Sequence, residues 1–322
     1  MSRAKKITIV CWLISALAII GLAAWFLLGM VGFFPFNNTN ISIGGLSIES
    51  LSGPFELQGS HSIDSQGIDA LHVDWTAGGV TVTPHSGNQI EIREFSQRSL
   101  RDGEQFNVWS DGSTVQVAFR TSNSLRNMPA KNLEILVPYA LLEQLPDIEI
   151  STVSARVELQ GVDTSFLRVN TTSGAVTLEE AQGETIEVRT ISGRIELSDI
   201  HAQTLQLRST SGRIELDGVE AERTEANSVS GRMVFDGAFA TVNARSTSGV
   251  VEIRSTILPD SVSVNTVSGA VRLTVPDEGS VSVSHSSVSG RFESEIPVLM
   301  HGADPQFSIS TTSGRVSIYS LR

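Results

Sequence analysis

Side chains of two kinds recur at fixed distances from a repeated Ser-Gly pair, and either kind could act on a ligand if a fold lined it up. Three residues before the glycine stands a hydroxyl: Thr152, Thr171, Thr190, Ser209, Ser228, Ser246, Thr266, Ser287 and Thr311. The residue just before it is serine in every copy, from Ser154 and Ser173 to Ser289 and Ser313. One residue after it stand Arg156, Arg194, Arg213, Arg232, Arg291 and Arg315, interrupted by Ala175, Val250 and Ala270. Two residues further on, the same face carries Glu158, Glu196, Glu215, Glu252 and Glu293. A row of guanidiniums can grip carboxylates or phosphates of an envelope polymer. Alternated with glutamates it is equally a solvated face, in which opposite charges relieve the repulsion between stacked arginines. Hydroxyls that point inward satisfy one another and the backbone. Pointing outward, a regular Thr-x-Ser array can order water or bind ice or sugar. We expect the structural role for the hydroxyls and the solvated role for the charged columns.

Other chemistry finds little support. Six histidines (His61, His72, His85, His201, His285 and His301) lack the spacing of a zinc site. There is no GxSxG elbow, P-loop or GxGxxG before a helix, and nine identical Ser-Gly nucleophiles would make no sense. Asp199, Asp217 and Asp236 resemble the acid clusters of polysaccharide-cleaving β-helices but read better as turn residues. The calcium-binding GGxGxD pattern is missing. The expectation is a protein without catalytic residues, metal or cofactor.

What must position these columns is a repeat. The pattern [Ser/Thr]-x-Ser-Gly-x-h-x-h, with h apolar, runs from Thr152 to Ile318. Gly174, Gly193, Gly212 and Gly231 are each 19 residues apart, and the gaps then run 18 to Gly249, 20 to Gly269, 21 to Gly290 and 24 to Gly314. A period near twenty predicts an all-β, single-stranded β-solenoid of about 19-residue coils, each burying its apolar side only by stacking. Ser-Gly is read as a corner where glycine adopts φ > 0. Asp217-Gly218, Asp236-Gly237, Gly161 and Gly183 mark a second corner, so each coil should be triangular. Nine coils would stack into a rod about 43 Å long.

Composition sets the location. The net charge of −12 argues against nucleic acid as a partner. The single cysteine, Cys11, excludes a disulfide within the chain. Residues 1–36 hold Arg3, Lys5 and Lys6 followed by an uncharged run from Ile7 to Phe36. Its most apolar part, Ile7 to Val31, would span about 38 Å as a helix, enough to cross a bilayer. Basic residues ahead of it place the N-terminus in the cytoplasm and the remainder outside. A cleaved signal peptide is the competing reading; Gly29-Met30-Val31-Gly32 is a poor cleavage site, so an uncleaved single-pass anchor is preferred. Residues 37–54 are read as a linker, 55–150 as an irregular first part of the solenoid and 151–322 as its regular repeats.

Trp75-Thr76-Ala77-Gly78-Gly79-Val80-Thr81-Val82, the Val137-Pro138 entry and the repeated Thr-x-Ser-Gly-x-Val/Ile together resemble the bacterial putative-adhesin family of membrane- or surface-associated β-solenoids. The resemblance covers Phe55 to Arg322. It implies the same fold and a role at the cell envelope, in some relatives envelope-stress signalling beside small membrane proteins, and it transfers no ligand residue. The long gap before Gly314, with Ile296-Pro297-Val298-Leu299-Met300-His301, leaves an apolar bulge that could be a contact. The leading expectation is a non-enzymatic, membrane-anchored, extracytoplasmic binding module. It would hold an envelope polymer or a membrane-protein partner. The alternatives are a scaffold that self-associates through solenoid ends and an envelope polysaccharide enzyme.

Overall fold

The computed structural model describes residues 40–43, 46–49, 54–120, 128–142, 146–278, 280–299 and 305–321. The helix expected over 7–36, with Cys11, lies outside the described residues, and no described helix is long and apolar enough to cross a membrane. The described chain is all-β apart from one short helix, Tyr139–Leu142. That turn falls where Pro138 and Pro146 bracket a Tyr-Ala-Leu-Leu segment, and it buries Leu141 and Leu142.

The regular part is a solenoid-like stack of parallel strands. Strands Asp163–Thr171, Gln182–Thr190 and His201–Ser209 pair so that Leu167, Ile186 and Leu205 stand in one line and Val169, Val188 and Leu207 in the next. After the Ser-Gly corner the same order gives Val176, Ile195 and Ile214, then Leu178, Leu197 and Leu216. Val162, Ala181, Ile200 and Val219 fill the third side, all buried. Alternation puts every second residue inside, and each buried Val, Leu or Ile contributes about 1.5–3 kcal/mol. Where the line narrows to Ala226 and Ala244, Phe235 and Phe239 fill the space, ring centroids 6.2 Å apart.

The Ser-Gly glycines do not take the φ > 0 expected of them. They are required because a Cβ would collide with the coil beneath. At Gly193 it would lie 1.8 Å from the Gly174 carbonyl oxygen, and at Gly212 1.7 Å from that of Gly193. The left-handed corner is the second one, through Gly161, Glu180, Asp199 and Gly218 at φ values of 63, 54, 53 and 64°. Gly183 belongs to the third side instead, paired with Thr164 and Ala202.

Coils do not stack in sequence order at the C-terminal end. Strands Ser261–Thr266 and Val271–Pro276, the Gly269 coil, pair with Gln306–Thr311 and Val316–Leu321, the Gly314 coil. That coil pairs on its other side with Val281–Ser287 and Phe292–Ser294, the Gly290 coil. The last segment of the chain is therefore inserted, and the penultimate one forms the end. Ile296 of the expected bulge turns inward and is buried, while Leu299 remains exposed.

The other end follows the same plan. Ala70–Trp75 and Gly78–His85 form an opening coil flanked on one side by Asp147–Thr152 and Arg156–Gln160. On its other side lie Thr114–Ala118 and Lys131–Pro138. Gln89–Ser96 and Asn107–Asp111 then cover these antiparallel, and Glu56–Asp64 pairs antiparallel with Gln89–Ser96. Lys131, one of the chain's three lysines, is fully buried in this cap. Its Nζ lies 2.5 Å from Glu94 Oε1 and donates to the carbonyls of Glu104, at 2.7 Å, and Phe119. Trp75 donates through Nε1 to the Lys131 carbonyl at 2.9 Å. Burial pushes the Glu94 carboxyl up and the Lys131 ammonium down, each opposed by the attraction between them.

Candidate functional site: the Ser-Gly corner

The corner separates residues that the sequence groups together. The first hydroxyl column is buried except at the half-buried Ser287, and most of its oxygens accept from the motif glycine N–H of their own coil. Thr190 Oγ1 accepts from Gly193 at 2.8 Å, Thr171 from Gly174 at 3.0 Å, Ser246 from Gly249 at 2.9 Å and Thr311 from Gly314 at 2.8 Å. The second column, from Ser173 onward, is exposed. Its hydroxyls donate to carbonyls of the neighbouring coil, Ser173 to Val153 at 3.3 Å and Ser192 to Thr172 at 3.4 Å. The sequence alone assigns both columns one structural role. The tight corner turns the chain between them, so one lines the interior and the other the outside.

Between them lies a column that the sequence reading passed over. In stacking order it runs Val153, Thr172, Ile191, Thr210, Val229, Thr247, Val267, Thr312 and Val288, every one exposed. Its aliphatic members range in exposure from 37% at Val153 to 84% at Val288. Aliphatic and hydroxyl side chains alternate without a fault along nine coils. In sequence order the pattern breaks, because Val267 is followed by Val288; the inserted Gly314 coil repairs it. β-Branched residues suit extended backbone, which accounts for their type but not for their alternation.

On one side of this ridge stands the arginine stripe. Arg156 pairs with Glu158 at 3.4 Å, Arg194 with Glu196 at 2.8 Å, Arg213 with Glu215, and Arg232 with Glu252. Hydrogen bonding to Glu196 raises the Arg194 guanidinium. Burial alone would raise Glu252, but hydrogen bonds from Arg232 and Arg272 outweigh it and hold the carboxyl below its ordinary range. Arg291 and Arg315 are exposed on the last two coils. Four of the six arginines are thus engaged by their own strand or the next, as a solvated face requires.

On the other side of the ridge the outward column reads Ser151, Asn170, Arg189, Arg208, Asn227, Arg245 and Asn265. Arg189 pairs with Glu187. Arg208 and Arg245 have no carboxylate partner among the described residues. They line an open hollow of about 270 Å³ with Asn227 and the ridge residues Thr210, Val229 and Thr247. Its floor is Ser209, Ser228 and Ser246, the stretch where the buried column is serine and lacks a methyl. Asp199, Asp217 and Asp236 do not converge: Asp199 forms the left-handed corner, and Asp236 pairs with Arg254 at 3.5 Å. No group of three or more metal-ligating side chains occurs among the described residues.

A twenty-residue period, a parallel stack with a buried hydroxyl column, and a glycine ladder define a class of repetitive all-β proteins. Residues 68–319 match the family described as Toastrack DUF4097, and the chain belongs to that family. No curated protein matches it. Among solved structures, a protein described as a putative adhesin from Parabacteroides distasonis superposes with a TM-score of 0.54 at 16% identity, over 82% of this chain and 97% of that one. A second, from Parabacteroides merdae, gives 0.53 at 16% over 82% and 96%. A P. distasonis protein described as a putative lipid binding protein gives 0.53 at 16% over 80% and 96%. At such identities the likeness is one of fold.

Proposed function

We propose that the chain is a membrane-anchored, extracytoplasmic binding module without catalytic activity, held by residues 7–36 with its solenoid outside the cell. The observation that carries this reading is the corner ridge, a continuous exposed line of nine uncharged side chains beside a face of paired arginines and glutamates. Side chains in a regular line at the strand spacing suit an extended, repetitive partner such as an envelope polymer. The adhesin description of two structural neighbours agrees with that role. Tags at both ends, protease treatment of intact cells and the size of the membrane-bound protein test it. Loss of the C-terminal tag with a protected, full-length N-terminal tag supports the topology. Protection of both tags until the membrane is opened contradicts it.

The Gly290 end favours a second reading, self-association. Val281–Ser287 and Phe292–Ser294 each pair with the Gly314 coil on one side, the two-residue strand Val298–Leu299 covers only Val281 and Ser282 on the other, and Val288 and Leu299 are exposed there. Such an edge is a template for another strand. A V288K substitution that converts a dimer to a monomer in sedimentation would support it; a monomeric parent chain would end it.

A further inference from the structure

The hollow beside the ridge points to a more definite ligand, and the inference rests on the binding-module reading above. The protein carries 35 acidic residues against 23 basic ones, and the charged face beyond the ridge pairs its arginines with glutamates. Yet Arg208 and Arg245, exposed at the rim of the hollow, have no carboxylate partner among the described residues. They stand two coils apart, about 9.6 Å, with Asn227 between them. The ridge beside them has the same two-coil repeat: Thr210 and Thr247 bear hydroxyls, and Val229 between them is aliphatic. Over these three coils charge and polarity alternate in step; Arg189, one coil before Arg208, lies outside the alternation and is held by Glu187.

We infer that this groove binds a linear β-linked glycan bearing one carboxylate on every second sugar. A guanidinium fork matches a carboxylate in bidentate geometry. Successive sugars in such a chain turn opposite edges to a surface, so the groove meets the same edge once per disaccharide, a length close to two strand spacings. Carboxylates on alternate sugars reach Arg208 and Arg245, and the uncharged sugar between them faces the Asn227 amide. Aliphatic ridge residues pack against the C–H face of the rings, and threonines and the outer serines meet hydroxyl edges. A polymer charged on every sugar would set a carboxylate opposite Asn227 with no cation to receive it.

The test uses the full-length chain in detergent with three labelled, β-linked hexasaccharides: hyaluronate, charged on alternate sugars; chitohexaose, uncharged; and hexamannuronate, charged on every sugar. Hyaluronate should bind about tenfold or more tighter than either comparator. R208A/R245A should lose about tenfold or more of that binding at unchanged melting temperature, because both side chains are exposed. R194A/R232A, on the opposite face, should bind as the parent does. Equal binding of hexamannuronate, or full binding by R208A/R245A, overturns the inference. Cosedimentation with isolated cell-wall material separates this site from the broader reading. If R208A/R245A still sediments fully, the groove is not the site while the module still binds the envelope. If it stays in the supernatant, the groove is where the envelope is held.

Discussion

The middle of the stack and its two ends solve different problems with different chemistry. In the middle, each coil meets a copy of itself, and uncharged ladders suffice: glycine against carbonyl, hydroxyl against glycine N–H, aliphatic on aliphatic. At the ends there is no next copy, and the chain leaves its sequential order. The Gly314 coil is inserted between two others, and the opening coil is enclosed on both sides by strands that follow it in sequence. The N-terminal cap alone holds a fully buried ion pair among the described residues, Lys131 with Glu94. Repetition thus needs only close packing, whereas termination requires specific partners. Placing the Gly314 coil inside rather than at the edge also locks it between two neighbours.

The largest effect should come from the exchanged end. Truncation after residue 302 removes Phe307, Ile309, Val316 and Ile318, all buried. These four represent about 6–12 kcal/mol of burial, comparable with the whole stability of a typical domain at about 5–15 kcal/mol. The Gly290 coil also loses its partner, so loss of cooperative melting by circular dichroism is expected. Next is G212A, whose Cβ would lie 1.7 Å from the Gly193 carbonyl oxygen. Urea titration should show a loss above about 4 kcal/mol. Ala155 already fills the glycine position in the first regular coil, where the opening coil turns through Gly78 at φ +107°, so A155G should cost only about 1 kcal/mol.

The cap should behave differently from a ladder. K131M strands Glu94 in the interior and should cost about 3–5 kcal/mol, and K131M/E94L should regain most of it. Within the ladder, T190A leaves the Gly193 N–H without its acceptor and should cost about 1 kcal/mol, whereas S192A, exposed one residue before Gly193, should stay within about 0.5 kcal/mol. The smallest effect is one of pH. Hydrogen bonds from Arg98 hold the Glu104 carboxyl below its ordinary value of 4.5 despite partial burial. Its folded value is the lower one, so its contribution is complete above pH 4.5 and is lost as pH falls through the folded value. E104Q should remove that part of the acid dependence, read from melting temperatures between neutral pH and pH 3.

The repeat, the strands and the two hydroxyl columns were legible in the sequence because periodicity of 2 and 19 reports them directly, but which column faces inward was not. The stacking order was not. A 24-residue gap before Gly314 reads the same whether the next coil lands above or below its predecessor. The ridge was legible in principle: its alternation fails only between Val267, Val288 and Thr312, where reversing two coils repairs it. Lys131 and Glu94 are 37 residues apart, and no local pattern joins them. The unpaired state of Arg208 and Arg245 depends on which glutamates their neighbours hold, and that emerges only in three dimensions.

The most direct test of the exchanged stacking order is disulfide trapping in a C11S background. Parallel neighbours lie about 4.8 Å apart, within disulfide reach, and second neighbours about 9.6 Å apart, beyond it. V267C/T312C and T312C/V288C should each cross-link under mild oxidation, and V267C/V288C should not. Efficient cross-linking of V267C/V288C, with none in V267C/T312C, would put the coils back in sequence order and break the alternating ridge.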